Sequence, residues 1–442
     1  MSPAVQGTIV LAATILVLLT GAPVAFSLGF IGLAFLALFQ GIDSLGVAAE
    51  TLWSGLHDFT LVSIPMFIMM GAAIGSSPAG RDLYEALDRW LYRIPGGLVV
   101  SNIGACALFA ALTGSSPATC AAIGKMGIPE MRKRGYPDEV ATGSICAGGT
   151  LGILIPPSIT FILYGIATET SIGRLFLAGV MPGLMLTALF MAWTIGYLWM
   201  KGFRAYAADF RYSWREKFQS IPKVAPFLAI VFGVMYVLYG GIATPSEAAG
   251  VGAALCVLLA MLIYRIWKPL AWWAILRDTT RESVMILMII GTAVLFSYML
   301  SSLFITQTLA QAIADLHVNR WVLMLLINVF LLICGLFIPP AGIILMTSPI
   351  LLPIILHAGF DPVWFGVIVT INLEVGLITP PVGLNLFVVN AIAPEVPTRT
   401  VLLGALPYVI AMLLGIVILC IFPGIATWLP DTLMGPAVGP GR

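Results

Sequence analysis

The stretch GGTLGILIPPS at residues 148–158 decides how this sequence folds, because its pattern returns as EVGLITPPVGL at residues 374–384. In each copy a pair of prolines interrupts an apolar run. Proline has no N–H to donate, and its ring clashes with the carbonyl four residues earlier, so each pair breaks a helix. Pro156 frees the carbonyl of Gly152, and Pro380 that of Gly376. Working outward, further residues stay in register: Pro129 with Pro353, Gly135 with Gly359, Gly152 with Gly376, Pro156 with Pro380, each pair 224 residues apart. Upstream, Ser63 and Gly71 match Ser283 and Gly291 at an offset of 220, which one small indel explains. A single coincidence means little where glycine and proline are common; several in register mark a duplicated unit.

The repeat is set in a strongly apolar chain. Of 442 residues, 60% are hydrophobic and 9% charged, against roughly 25% charged in an ordinary soluble domain. Mean hydropathy is +1.05. Apolar runs approaching the roughly 20 residues a bilayer demands recur from end to end, about a dozen spanning or half-spanning segments in all. The net charge of +1 offers no basic field for nucleic acid. Cys106, Cys120, Cys146, Cys256, Cys334 and Cys420 lie singly in apolar stretches and read as small core residues. With His57, His317 and His357 far apart, no metalloenzyme spacing exists. No basic residue precedes the first apolar run, which reads as a retained helix pair broken at Gly21-Ala22-Pro23 instead of a cleaved leader.

Cations give the orientation, since short cytoplasmic loops are enriched in Lys and Arg. Arg81, Arg89 and Arg93, then Lys125, Arg132, Lys133 and Arg134, are replaced in the second unit by Ser301, Leu309, Ile313, Pro349, Leu356, His357 and Ala358. Loss of every cation is what two units of opposite membrane orientation would produce, the inverted-repeat plan of secondary transporters. Both cationic clusters read as cytoplasmic, yet one apolar stretch separates them. A re-entrant hairpin with its tip at Thr113-Gly114-Ser115-Ser116-Pro117 reconciles the two, and symmetry places a second tip near Gly335–Gly342. Irregular backbone at such depth survives only where it is buried or lines a cavity, so the tips point to a site.

The expected organisation runs from N-terminal scaffold helices over 1–58 to a first repeat over 59–200. That repeat holds hairpin 1 at about 95–127 and a broken helix at about 138–168. A cytoplasmic linker, the polar segment Lys201–Lys223, and a scaffold hairpin follow over 201–282, the hairpin turning near Gly240-Gly241 and leading to a basic loop, Arg265–Arg281. The second repeat spans 283–425, with hairpin 2 at about 319–358 and a broken helix at about 362–392, before a tail over 426–442. Arg81–Trp90 is amphipathic and too charged to span, so it is expected along the interface.

An unwound mid-membrane segment offers carbonyl oxygens, and its half-helix ends add dipoles suited to cations or carboxylates. A single proline pair is most simply a kink; two symmetric pairs, each beside a hairpin tip, favour ion cages of the oxygen-rich kind hard cations prefer. Thr113, Ser115, Ser116 and Thr119 put four hydroxyls on the first tip. Alone they would be helix-packing glue; at a break they suit ion coordination or capture of a substrate carboxylate. A serine-hydrolase reading of Ser115 or Ser116 lacks a nearby His or Asp partner. Two acids sit in apolar runs and are functional suspects by default. Glu247 follows Thr244 in a pattern that also fits a helix cap. Glu374, two residues before Gly376, is an alternative proton site.

These motifs resemble, over essentially the whole chain, the large membrane subunit of tripartite ATP-independent periplasmic (TRAP) transporters. The resemblance rests on LLTGAPVAFSLG at 18–29, SIPMFIMMGAAI at 63–74, LFAALTGSSPATCAAIG at 108–124, IPEMRKRGY at 128–136, GGTLGILIPPS at 148–158, ATPSEAAGVGA at 243–253 and GLITPPVGLNLF at 376–387. It implies an all-α polytopic elevator carrier in the bacterial inner membrane, coupled to sodium. It also implies a small four-helix membrane subunit and a soluble periplasmic binding protein as partners. By family pattern one sodium site maps to Thr113, Ser116, Gly152, Ile155 and Pro156, the other to Gly335, Gly376, Thr379 and Val382; the tip hydroxyls of Ser115, Ser116 and Thr119 are, on the residues' own chemistry, expected to face substrate. Thr113 stands where Ser is the more usual residue, and the hydroxyl is kept. Expected substrates are organic acids: C4-dicarboxylates, sialic acids, sugar acids, keto acids. A self-sufficient carboxylate symporter, an intramembrane hydrolase and a passive channel are the competing readings.

Overall fold

The structure, a computed structural model, describes residues 2–94, 96–202, 212–315 and 318–435. Every regular element described is helical. The first half contributes α1 (Pro3–Leu19), α2 (Val24–Gln40), α3 (Gly46–Leu56), α4 (Ser63–Gly75) and α5 (Ala79–Leu91). It continues with α6 (Gly97–Thr113), α7 (Ser116–Lys133), α8 (Asp138–Leu154), α9 (Ile159–Thr168) and α10 (Ile172–Met200). The second half contributes α11 (Trp214–Tyr239), α12 (Pro245–Leu262), α13 (Pro269–Ser302), α14 (Ile305–Asp315) and α15 (Arg320–Gly335). It ends with α16 (Pro340–His357), α17 (Pro362–Leu377), α18 (Leu384–Ile392), α19 (Thr398–Ile421) and α20 (Gly424–Met434).

Among the described residues, six helices are long and apolar enough to cross a bilayer, or up to eight if each of two bent pairs is one span. The arms leading into the two hairpins are not among them. α6 has 17 residues and α15 has 16, which at about 1.5 Å per residue falls short of a hydrocarbon core roughly 30 Å thick. A helix that stops short leaves its tip at depth. The tips fall at residues 114–115 and 336–339, and the helix breaks at residues 155–158 and 378–383. α8 and α9 diverge by 41° across the first break, and both proline pairs, Pro156-Pro157 and Pro380-Pro381, are cis.

Packing follows the duplication. α2 lies along α13, while the matching α12 lies along α4. The second arm of each hairpin packs on the short half of the opposite broken helix, α7 on α18 and α16 on α9. Reciprocal exchange of this kind is what a pseudo-two-fold axis produces. It takes in helices before residue 59 and between 201 and 282, segments that sequence reading had set apart as scaffold.

Two segments expected to be polar connections are helical instead. α11 begins at Trp214, inside the linker expected over 201–223, because Ser213 and Glu216 form a reciprocal capping box there. Its basic residues settle against the amphipathic α5: Lys223 Nζ lies 3.4 Å from Asp82, and Lys217 is caged by the rings of Trp90, Tyr92 and Trp214. The remainder of that linker, residues 203–211, and the tail beyond 435 lie outside the described residues, as does His317. The basic loop expected over Arg265–Arg281 is likewise mostly the first three turns of α13. At the far end of hairpin 1, Arg134 pairs with the buried Asp88 of α5 at 3.3 Å, and Tyr212 donates to the same carboxylate at 3.1 Å. Burial opposes the charge of Arg134, but Asp88 and Tyr84 outweigh it and raise the guanidinium pKa.

Candidate functional site

The first tip meets the first break. Thr113 closes α6, and Ser116, followed by Pro117 in the first helical turn, opens α7; proline suits a helix start because no partner awaits its N–H there. Thr113 Oγ1 and Thr119 Oγ1 share a hydrogen bond of 2.7 Å, and Thr119 Oγ1 also donates to the Ser115 carbonyl at 2.9 Å. Gly152 is pressed against this group: a Cβ there would lie 2.6 Å from the Ser115 carbonyl oxygen and 2.8 Å from Thr119 Oγ1. The residue four positions after it is Pro156, which has no N–H to offer its carbonyl. Ile155 and Pro156 form the break itself, and Ile155 packs on Gly183 of α10.

The second tip meets the second break in the corresponding way. A Cβ on Gly376 would collide with the Gly335 carbonyl oxygen, and the Val382 N–H donates to the Leu336 carbonyl at 3.3 Å. Two details depart from the proline argument. The Gly376 carbonyl is not fully released, because the chain tightens and Thr379 N–H reaches it at 3.4 Å. The Thr379 hydroxyl turns back to the Val375 carbonyl at 2.7 Å. The two breaks also differ in cover: Pro156 and Pro157 are buried, whereas Pro380, Pro381 and Val382 are exposed.

Of the residues expected to face substrate, Ser115 is the one that lines a cavity. Ser115 and Thr113 line a cavity of about 620 Å³ between hairpin 1 and α4, α5 and α13. Ser116 and Thr119 are fully buried. The cavity wall also carries Ser76, Ser77, the cations Arg81 and Lys125, and the acids Asp278 and Glu282.

Behind the tip the second half supplies two polar side chains to the first. Asn385 Nδ2 donates to Ser116 Oγ at 2.9 Å and to the Cys146 carbonyl at 3.1 Å. Ser116 Oγ in turn lies 3.4 Å from Glu374 Oε2, as donor. Glu374 was singled out in sequence as an acid inside an apolar run, but its neighbours were not foreseeable. Asn385 was missed; its only signal is an amide four residues past the second proline pair. Glu247 proves to be a cap, accepting from the Thr244 N–H at 2.8 Å.

Broken helices whose midpoints receive the tips of two symmetric hairpins, within an apolar helical bundle, define a membrane carrier. Its folding class is shared by the YdaH transporter of Alcanivorax borkumensis, a crystal structure matched at a TM-score of 0.67 over 90% of this chain and 91% of that one, at 16% identity. The family described as "Tripartite ATP-independent periplasmic transporter, DctM component" matches residues 11–425, and the chain belongs to that family. The "C4-dicarboxylate TRAP transporter large permease protein DctM" of Pseudomonas aeruginosa is 38% identical over 92% of this chain and 94% of its own length. The "Sialic acid TRAP transporter large permease protein SiaM" of Vibrio cholerae is 32% identical, covering 95% and 97%. The chain is thus a transport permease and not an enzyme, multi-pass in the bacterial inner membrane. Membership implies, in general terms, a small membrane subunit and a periplasmic binding protein as companions.

Proposed function

We propose that this chain is the large permease of a sodium-driven, binding-protein-dependent importer of an organic acid, working as an elevator. The observation that carries the reading is the junction of hairpin 1 with the first broken helix, where Gly152 presses on Ser115 and Thr119 while Thr113 and Ser115 also line the cavity. An ion held by Thr113, Ser116 and the oxygens of Gly152, Ile155 and Pro156 would fix the tip on one side. A carboxylate would be received by Ser115 on the other. A second ion is assigned to Gly335, Gly376, Thr379 and Val382, whose backbone meets at the second junction. Sodium is cargo here, and its binding energy organises the tip before substrate arrives.

Arg81 and Lys125 beside the cavity favour an anion, and the neighbouring Asp278 and Glu282 leave room for a substrate that also carries hydroxyl or amino groups. The names of the relatives, dicarboxylate in one and sialic acid in another, span that range. Movement of the bundle holding both hairpins against α2, α4, α12 and α13 would carry the site across. Cations and an anion travelling together lower the electrostatic cost of crossing hydrocarbon.

The test is uptake into proteoliposomes containing this chain and its small subunit, with binding protein preloaded with candidate acids added outside. Accumulation that requires both the binding protein and an inward sodium gradient is expected. Uptake indifferent to the binding protein would make the chain a self-sufficient symporter. Uptake down a gradient without sodium would make it a channel.

A further inference from the structure

The buried carboxylate of Glu374 has no part in the two cages described above, and its surroundings ask for a cation. Glu374 is 1% exposed, and Ser116 and Asn385 are 0% exposed. The carboxylate is approached by Ser116 Oγ, 3.4 Å from Oε2, and by the Ile153 backbone N–H, and Oε1 makes no hydrogen bond of good geometry among the described residues. Asn385 has its orientation fixed: its Nδ2 donates to the Cys146 carbonyl, which can only accept, so Oδ1 must point the other way. That Oδ1 is also buried and without a partner. No Lys or Arg forms an ion pair with Glu374 among the described residues.

Two imbalances therefore sit side by side. A cage of carbonyl and hydroxyl oxygens around Thr113, Ser116 and Gly152 is electrically neutral, and an ion placed in it brings an uncompensated positive charge into the membrane. A carboxylate buried without a cation is the opposite fault, and either alone is expensive. Ser116 belongs to the cage and touches the carboxylate, and Asn385 touches Ser116. One ion beside Ser116 Oγ would relieve both faults and use the idle carboxylate oxygen of Glu374.

We propose that Glu374 is the anionic ligand of the first sodium cage, acting with Ser116 and Asn385 so that the ion joins hairpin 1 to the second broken helix. The proposal rests on the sodium reading of the first cage. The chain is then tied across its two halves by the ion itself: α7 from the first, α17 and α18 from the second. Loading would lock hairpin 1 onto the opposite repeat before the bundle moves.

The experiment is sodium binding, read without transport. The complex of this chain with its small subunit is purified in potassium chloride and titrated with sodium chloride at constant ionic strength. The thermal midpoint is followed for the wild type, Glu374→Gln and Glu374→Asp. Wild type is expected to be stabilised by sodium and not by potassium. Glu374→Gln should raise the half-saturating sodium concentration by about tenfold or more, the scale on which losing one supporting group lowers metal affinity. Glu374→Asp, which keeps the charge and so tests the point if the glutamine variant folds poorly, should fall between the two. A wild-type midpoint in Glu374→Gln, or loss of the response in Glu374→Asp equal to that in Glu374→Gln, overturns the anionic-ligand role while sodium coupling stands. A wild type indifferent to sodium overturns the coupling itself and this proposal with it.

Discussion

At Gly152 a single methyl group would collide with the Ser115 carbonyl oxygen and with Thr119 Oγ1, neither of which is the free end of a flexible chain. Gly152→Ala should therefore push hairpin 1 off the break, at a cost of about 1–3 kcal/mol for an overpacked contact. The expected result is loss of sodium-dependent uptake in proteoliposomes, with the variant still extracted together with its small subunit. Normal uptake with normal sodium dependence would mean that the close approach has no role. Gly376→Ala, whose Cβ would meet the Gly335 carbonyl, should behave alike. Both glycines were legible in sequence, since each stands four residues before a proline that repeats. The polar cluster behind them was only partly legible. Glu374 announces itself by charge in an apolar run, whereas Asn385 carries no charge and no spacing that separates it from an amide engaged in packing.

Helix starts show how local chemistry competes with composition. Residues 201–223 and 265–281 look like polar connections by charge count, yet α11 and α13 begin well inside them. A capping box at Ser213 satisfies the first donors of α11, and long cationic side chains reach partners on α5 from a helical backbone. The same logic resolves Glu247, which sequence left between a cap and a functional acid. Thr244 Oγ1 accepts from the Glu247 N–H at 3.3 Å, and Glu247 Oε2 accepts in return from Thr244. Thr244→Ala is expected to lower stability by about 1 kcal/mol and to leave uptake per folded molecule unchanged. Thermal unfolding of the purified complex beside an uptake assay measures both. Reduced uptake at unaltered stability would return Glu247 to the functional residues.

On the scale of the whole molecule, the exchange of partners between halves makes a claim about sidedness. Lys133, at the end of α7, and its counterpart His357, at the end of α16, are both exposed and stand in equivalent places in the two units. If the units are inverted, Lys133→Cys and His357→Cys in a background without native cysteines will react with a membrane-impermeant maleimide from opposite faces of the membrane. Lys133→Cys should react from the cytoplasmic side. Reaction of both from one side would contradict the inverted arrangement, whatever the transport assays return.

The sequence by itself determined the membrane class, the duplicated unit, the positions of both breaks and the hairpin tips. Each of these follows from short-range causes: apolar length, a missing N–H, or a basic loop and its loss. Tertiary structure alone decided that Ser115 opens onto the cavity while Ser116 and Thr119 turn inward, and that the first break is covered while the second is exposed. It alone decided that Glu374 meets Ser116, 258 residues away along the chain. Which face of a buried helix is polar matters only once another helix lies against it. In a chain where nearly every face is apolar, no periodicity in the sequence marks that face in advance.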